Sequence, residues 1–419
     1  MPENPTDTFA SARDKAPEEA AFYWNGGPVE VAERTWFTSD FSGVTAFETD
    51  EGIVLVDSGM VFLAPRIAAA LRSVTQAPIH TAIFTHGHVD HAYGLQEFLA
   101  PGQDPPRVIA HAAMPARFER YEATAPHNQA VNARQFGGAV DSGATVPFTA
   151  PAILPDTLYD DRLDLEVGGV RFELHHALGE TDDHTWVLCP DRDVLCPGDL
   201  VIWSVPNCGN PQKVQRYPWA WADALREMAS ARPRTLAPGH GGPIVDQPDK
   251  VQRLLLETAD FLDTIVERTL AVLNDGSPPH VDVVQRVELP VSASPWLQPG
   301  YDEGEFIVRN VIRYFGGWYS GRPSELKPAA RDAVAAELAA LAGGPDALLD
   351  RAEAVAATGD RRLASHLADY ALEATPDDAR VGERVAALYE DRAARETSLM
   401  ATNLFRSAAA YARTGRPYA

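Results

Sequence analysis

Cysteine is scarce in this chain: Cys189, Cys196 and Cys208 are the only three among 419 residues. So sparse and odd a set excludes a disulfide framework and suits a reducing compartment. Positive charge is also short. The 36 Lys and Arg face 59 Asp and Glu, a formal net charge of −23. That balance excludes general nucleic-acid binding, because a phosphate backbone would be repelled. No run approaches the roughly 18 apolar residues of a spanning helix, so no membrane span is expected. Met1 to Ala20 is rich in Pro and acidic residues and lacks the apolar centre of a secretory leader, and the expected address is the cytoplasm. What is present is globular in character, with 45% hydrophobic and 23% charged residues. The length exceeds one ordinary core, so two or three units are expected.

Residues 1–27 read as a polar lead-in. From Val29 to Gly59 the chain alternates as strands do, with a hairpin turn at Asp50-Glu51-Gly52 and a buried strand at Ile53-Val54-Leu55-Val56. A helix is expected over Arg66–Val74, then strands at Ile79–Phe84 and Arg107–His111. Residues 116–150 are polar and rich in Asn, Gln, Gly and Pro, and read as a long active-site loop. Strands return at Val170–His176, His184–Cys189, Val194–Cys196 and Thr235–Ala237. Lys250–Leu273 carries Val251, Leu254, Leu255, Ala259, Leu262, Ile265, Val266 and Leu270 at helical spacing. After Pro328 the chain is Ala-rich and helical, with Gly359-Asp360 and Pro376-Asp377-Asp378 dividing about four helices. The expected units are 1–27, a catalytic domain over 28–248, a helix and connecting segment over 249–327, and a helical domain over 328–419. Strands alternating with helices, then helices alone, describe an α/β sandwich with an all-α appendage.

The densest chemistry lies at Thr85-His86-Gly87-His88-Val89-Asp90-His91. Three imidazoles and a carboxylate follow an apolar strand, which puts them at the carboxyl edge of a sheet. That supply suits two adjacent borderline-soft ions, typically Zn²⁺. The bland alternative, a solvated His-rich turn, requires four ligands to fall in this order by chance. Two ions need about seven protein ligands. Glu180, Asp199 and His240 each follow a strand and supply the remainder, although a lone Gly-Asp or Gly-His turn is usually just a turn. Asp199 is placed to bridge both ions.

The order H-x-H-x-D-H, then Gly179-Glu180-Thr181, Gly198-Asp199 and Gly239-His240 resembles the metallo-β-lactamase superfamily over roughly residues 28–245. Glu180 stands where most members have histidine, and among those with a carboxylate the chain resembles the alkylsulfatase branch. Asn207, eight residues after Asp199, matches that branch's substrate-contacting asparagine. Gly317-Trp318-Tyr319-Ser320-Gly321-Arg322-Pro323 resembles its G-W-[YF]-x-G-x-P segment, and Ala347–Tyr411 looks like its helical dimerisation domain. The resemblance implies an αββα sandwich followed by an all-α domain, and homodimers through the C-terminal helices. There are departures. Asp199 stands where the branch usually has Glu, and no histidine lies between Asp199 and Trp221, where an acid toward the sulfate is expected. The chain runs to Ala419 without the branch's sterol-carrier-like domain, which points to a smaller or more polar substrate.

The implied enzyme is a dinuclear metal-dependent hydrolase that uses a metal-bound hydroxide to cleave an organic sulfate ester, a small anionic substrate. His86, His88 and Glu180 would hold one ion; Asp90, His91, Asp199 and His240 the other. The Glu180 carboxylate lowers the positive charge of the first site and opens it to Mn²⁺ or Fe²⁺. Asp90 and His184 are the candidate catalytic groups, although His184 also reads as a ligand in place of Glu180 or as a hydrogen-bonded strand-start residue. Asn207, Lys213 and Arg216 are the candidate substrate-binding residues, because a guanidinium matches a sulfate edge. Asp57 is a candidate acceptor behind a ligand histidine. Trp203, Tyr217, Trp219 and Trp221 read more readily as packing than as a channel, and His111, His175 and His176 as structural. The alternatives are hydrolysis of a phosphate ester, lactone or β-lactam, or iron-dependent oxidoreduction on the same fold.

Overall fold

The computed structural model describes residues 25–137 and 148–416. Of the expected lead-in, only its last three residues fall within that range. The described residues divide into two compact units. One comprises 25–128, 148–278 and 282–317; the other comprises 129–137, 279–281 and 318–416.

The first unit is built on two sheets. Strands β1 (Gly26–Ala32), β2 (Thr35–Asp40), β3 (Ser42–Thr49) and β4 (Gly52–Val56) form an antiparallel meander. Strands β5 (Ile79–Ile83), β6 (Arg107–His111) and β7 (Thr157–Tyr159) extend it in parallel, completing seven strands in chain order. The second sheet runs β12 (Thr235–Pro238), β11 (Val194–Gly198), β10 (His184–Cys189), β9 (Val170–Ala177), β8 (Arg162–Val167), with β11 and β12 parallel and the rest antiparallel.

The period-2 alternation of strands decides the layers. In β4, Val54 and Val56 face the space between the sheets, where they meet Phe172, Leu174, Val187 and Cys196. Ile53 and Leu55 point the other way, onto Ile67 and Leu71 of helix α1 (Ala64–Arg72). Beyond the second sheet, Trp186, Leu195 and Leu236 pack on helices α4 (Pro218–Ser230), α5 (Pro248–Asn274) and α6 (Gly304–Phe315). The result is an αββα sandwich in which central strands such as β4 and β10 are buried on both faces, whereas β8 keeps an exposed face. Strands β4, β5, β6, β9, β10, β11 and β12 and the long amphipathic helix lie within two residues of their expected ends, whereas β7 and β8 were not expected.

The region expected as an active-site loop differs. Residues 114–136 form helices α2 (Met114–Ala123) and α3 (Ala125–Phe136), and 138–147 lie outside the described residues. Polar composition misled there. Met114, Phe118 and Tyr121 are buried along one face of α2, but charged residues fill the intervals and mask the period.

The second unit holds five long helices: α7 (Arg331–Ala342), α8 (Pro345–Ala357), α9 (Arg361–Ala374), α10 (Ala379–Ala393) and α11 (Leu399–Thr414). Leu349, Ala352, Ala368, Ala371, Val381, Val385 and Ala386 make its core. Side chains of Asp360, Asp378 and Ser398 cap three of the helices. The fifth helix arises because Gly343, at φ +94°, and Gly344 split an Ala-rich run that composition reads as continuous.

Phe47 and Phe172, one from each sheet, meet edge to face with centroids 5.2 Å apart, and neither is exposed. Phe172→Ala is expected to destabilise the first unit by about 3–5 kcal/mol, read as an earlier urea transition with far-UV dichroism preserved. A loss under about 1 kcal/mol would mean that the two sheets do not depend on this contact.

Candidate metal centre

Five strand ends deliver the candidate ligands to one edge of the sandwich. β5 leads into His86 and His88, and a single helical turn, Val89–Ala92, carries Asp90 and His91. β4 ends at Asp57, β9 leads to Glu180, β11 ends beside Asp199, and β12 leads to His240. The Thr185 N–H donates to the Thr85 carbonyl at 2.6 Å, tying the loop after β5 to the second sheet. Gly239 must be glycine, because a Cβ there would overlap the Asp199 carboxylate.

All seven candidate ligands come together. Ligand atoms of His86, His88, Glu180 and Asp199 lie within 4.8 Å of one another, as do those of Asp90, His91 and His240. Asp199 spans the two groups. Its Oδ1 is 3.1 Å from His91 Nε2, and its Oδ2 is 3.3 Å from His240 Nε2 and 3.8 Å from His86 Nε2. Asp90 Oδ2 lies 3.6 Å from His91 Nε2 and 3.5 Å from His240 Nε2. Ligands at about 2.0–2.3 Å from a tetrahedral ion stand roughly 3.3–3.8 Å apart, and most of these separations fall there.

The site also has a buried atom that nothing satisfies: Glu180 Oε2 has no hydrogen-bond partner among the described residues. Such an orphan costs about 1–3 kcal/mol, and this one sits on a candidate ligand. A mixed set of imidazole and carboxylate donors with an unsatisfied carboxylate oxygen fits divalent Zn²⁺, Mn²⁺ or Fe²⁺.

The far side of each ligand is held. His91 Nδ1 meets Asp57 Oδ2 at 2.8 Å, and Asp57 also accepts the Thr85 N–H and hydroxyl, each at 2.8 Å. Asp57 is thus the expected acceptor behind a histidine. Its φ of +59° is a left-handed conformation costing on the order of 1–3 kcal/mol. Phe41, at φ +77°, turns its carbonyl to accept from His240 Nδ1 at 2.7 Å. The Ser42 hydroxyl donates to the Asp90 carbonyl. Burial works against charging His91, but Asp199, Asp90 and Asp57 outweigh it and raise its pKa well above the usual imidazole value. Burial instead holds His86 and His88 well below that value. Neutral imidazoles are the form that donates a lone pair to a metal.

Around Glu180 the placement differs from expectation. Glu180 Oε1 accepts from Asn207 Nδ2 and Arg216 Nη1, each at 2.5 Å, and Arg216 Nη1 also reaches the Asn207 carbonyl at 2.5 Å. Arg216 is 3% exposed. Its Nη1 is therefore engaged as the counter-charge of Glu180 rather than offered as an open anion subsite, because a buried carboxylate needs a paired cation. Lys213 is half-buried and feels the charges of Glu180 and Asp90. Burial, and then repulsion from Arg216, lower its pKa to about 7.

His184 is fully buried and stacks on His86, with centroids 4.8 Å apart at 16°. Burial lowers its pKa to about 3, and neither ring nitrogen has a partner among the described residues. His184, a candidate catalytic group from sequence, is thus held neutral and enclosed against His86. Trp203 and Trp221 are core residues, as expected, and Trp219 is half exposed.

Residues 40–240 match the model of the metallo-beta-lactamase superfamily, and residues 280–415 match that of alkyl sulfatase dimerisation. The chain is similar to a linear primary-alkylsulfatase of a Pseudomonas species, with 26% identity over 352 residues, 79% of this chain and 66% of that protein. It is also similar to an alkyl/aryl-sulfatase of Saccharomyces cerevisiae, 26% identical over 83% of this chain and 57% of that one. An (R)-specific secondary-alkylsulfatase of Pseudomonas is 25% identical over 80% and 55%. The chain thus spans less than two thirds of the length of each of these relatives. In three dimensions it resembles a stereoselective inverting sec-alkylsulfatase from Pseudomonas, with a TM-score of 0.84 and 22% identity over 98% of this chain and 70% of that one. That likeness shows the fold.

Two contributors escaped the sequence reading. Asp183 is fully buried; its Oδ2 accepts the N–H of Gly87, between two ligand histidines, at 2.9 Å. Arg117, on α2, donates Nε to Asp183 Oδ1 at 2.8 Å and Nη2 to the Asp182 carboxylate. The Asp182-Asp183 pair beside Glu180 was a visible signal; its partner 66 residues away was not. Burial opposes the charge on Asp183, but Arg117 and the local donors outweigh it and lower its pKa. Asp183→Ala removes the fully buried partner of Arg117, at an expected cost of about 3–5 kcal/mol in urea unfolding at neutral pH. A depressed carboxylate pKa contributes stability that is complete above about pH 4 and lost as pH falls through the folded value. The wild-type advantage should therefore shrink on acidification; a difference constant down to about pH 2 would contradict the ion pair.

Proposed function

Because this chain joins a metallo-β-lactamase domain to an alkylsulfatase dimerisation domain, we propose that it is a dinuclear metal hydrolase that cleaves an organic sulfate ester to an alcohol and inorganic sulfate. The observation that carries the reading is the double cluster of seven buried or nearly buried ligands, with the orphaned Glu180 Oε2, beside a loop bearing Asn207 and Lys213. The alkylsulfatase relatives support the choice of ester.

Two divalent cations, Zn²⁺ in this proposal, supply Lewis acidity and a water ionised at neutral pH when bound. The chain's own groups do the rest. His86, His88 and Glu180 would hold one ion, and Asp90, His91, Asp199 and His240 the other. His88 and Asp90 are the outermost ligands, with side chains 19% and 13% exposed against 6% or less for the others. The ester therefore approaches from their side. The half-buried Lys213 ammonium draws the sulfate in against the overall charge of −23. Burial pushes the Glu180 carboxyl up to about 8, and Arg216 works against that shift and favours the charged form. The buried thiols Cys189, Cys196 and Cys208 are in keeping with a cytoplasmic address.

Elemental analysis with a panel of alkyl sulfate, phosphate ester, lactone and β-lactam tests this reading. Two zincs per chain, sulfate release abolished by a chelator, and a Lys213→Met variant changed in KM more than in kcat are expected. Two zincs with turnover only of the other esters would remove the sulfatase assignment. Iron with oxygen-dependent turnover in place of ester cleavage, or no metal, would overturn the hydrolase.

The helical unit is proposed to pair two copies of the chain. Leu341, 84% exposed, and Val334, 40% exposed, lie seven residues apart on one face of α7. Sedimentation is expected to give twice the chain mass for wild type and the chain mass for Leu341→Glu. A wild-type monomer would reject the pairing, and an unchanged dimer would remove this face from it.

A further inference from the structure

Helix α6 begins more than sixty residues beyond the part of the chain matched to the metallo-β-lactamase model, yet it is packed into the same core as α4 and α5. Two polar residues from this stretch are buried against the loop that serves Glu180. Asp302 is 0% exposed and accepts three backbone N–H groups: Gly209 at 2.6 Å and Asn210 at 3.1 Å on Oδ2, and Glu303 at 2.7 Å on Oδ1. Asn310, 2% exposed, accepts from Gln215 Nε2 at 3.0 Å and from the Arg216 N–H at 3.4 Å, and donates to the Arg216 carbonyl at 3.0 Å. The two residues grip both ends of the segment 207–216. Two of that segment's buried side chains, Asn207 and Arg216, are the pair that hold Glu180 Oε1. The approach is close: a Cβ on Gly209 would overlap the backbone of Phe306 and Ile307. A buried carboxylate costs several kcal/mol unless donors surround it, so its place here needs a reason beyond filling space.

We propose that Asp302 and Asn310 are positioning residues of the metal centre, clamping the 207–216 loop so that Asn207 and Arg216 occupy one oxygen of Glu180 and leave Oε2 for the ion. The inference rests on the reading of Glu180 as a ligand. Residues that orient a ligand typically change metal affinity 10–100-fold when replaced. Asp302→Asn keeps the shape but loses an acceptor that serves two N–H groups. Asn310→Asp keeps the acceptor and loses the donor to Arg216, a milder change.

Zinc affinity of the full chain, measured by competition with a chromophoric chelator, tests the clamp independently of any substrate. The expected result is two zinc equivalents in wild type, with one weakened 10–100-fold in Asp302→Asn and the other unchanged. Asn310→Asp should show the same selective loss, smaller, and decides the matter alone if Asp302→Asn does not fold. On a Glu180→Ala background neither substitution should weaken zinc further. Two unchanged affinities in a folded variant overturn the clamp. So does a parallel fall of both affinities with the melting temperature of the metal-free protein, the signature of a merely structural role. Fewer than two zincs in wild type would overturn the ligand reading and the clamp together, whereas two zincs without sulfate release would remove only the sulfatase assignment.

Discussion

Three carboxylates, those of Asp90, Glu180 and Asp199, are brought within a few ångströms of one another in a site largely closed to water, and that crowding is the constraint on which the rest depends. Like charges so placed repel unless cations stand among them. Within the chain the compensation is partial. Arg216 serves Glu180 Oε1, and His91 and His240 serve Asp199, leaving Glu180 Oε2 without a partner among the described residues. A pair of divalent ions would complete the balance. The same electrostatics explains why the surroundings are so heavily tied down: a ligand free to swing would relieve the repulsion by moving away.

The sandwich makes the crowding possible. β4, β5, β9, β11 and β12 all end at one edge, so residues far apart in sequence converge without long loops. The central strands β4, β10 and β11 are buried throughout, and their tight packing prevents the edge from spreading. Local strain is confined to where it aims a group: Asp57 and Phe41 adopt left-handed backbone and present, respectively, a carboxylate to His91 and a carbonyl to His240. The energy stored there is offset by the packed strands on either side.

Much of this was legible before any coordinates. The strand at Arg107–His111 and the strand at His184–Cys189 fall where alternation and turn residues put them, because both are short apolar runs bounded by breakers. Helix α2 was not legible, since Arg117 interrupts an apolar face in order to reach Asp183. His184 and Arg216 show the other limit. Both residue types suit catalysis or anion binding when exposed, and only burial shows that the first is enclosed behind His86 and that the second is engaged with Glu180.

The sequence by itself determined the inventory. The cluster from His86 to His91, the later Glu180, Asp199 and His240, and the alternation that builds two sheets are all local patterns, and local patterns follow from side-chain period and chemistry. Tertiary structure alone decided the assignments: that Arg117 and Asp302 reach loops from which they are remote in sequence, and that Arg216 faces inward. Those depend on which surfaces are removed from water together. Burial is a property of the packed whole, and no spacing along the chain encodes it.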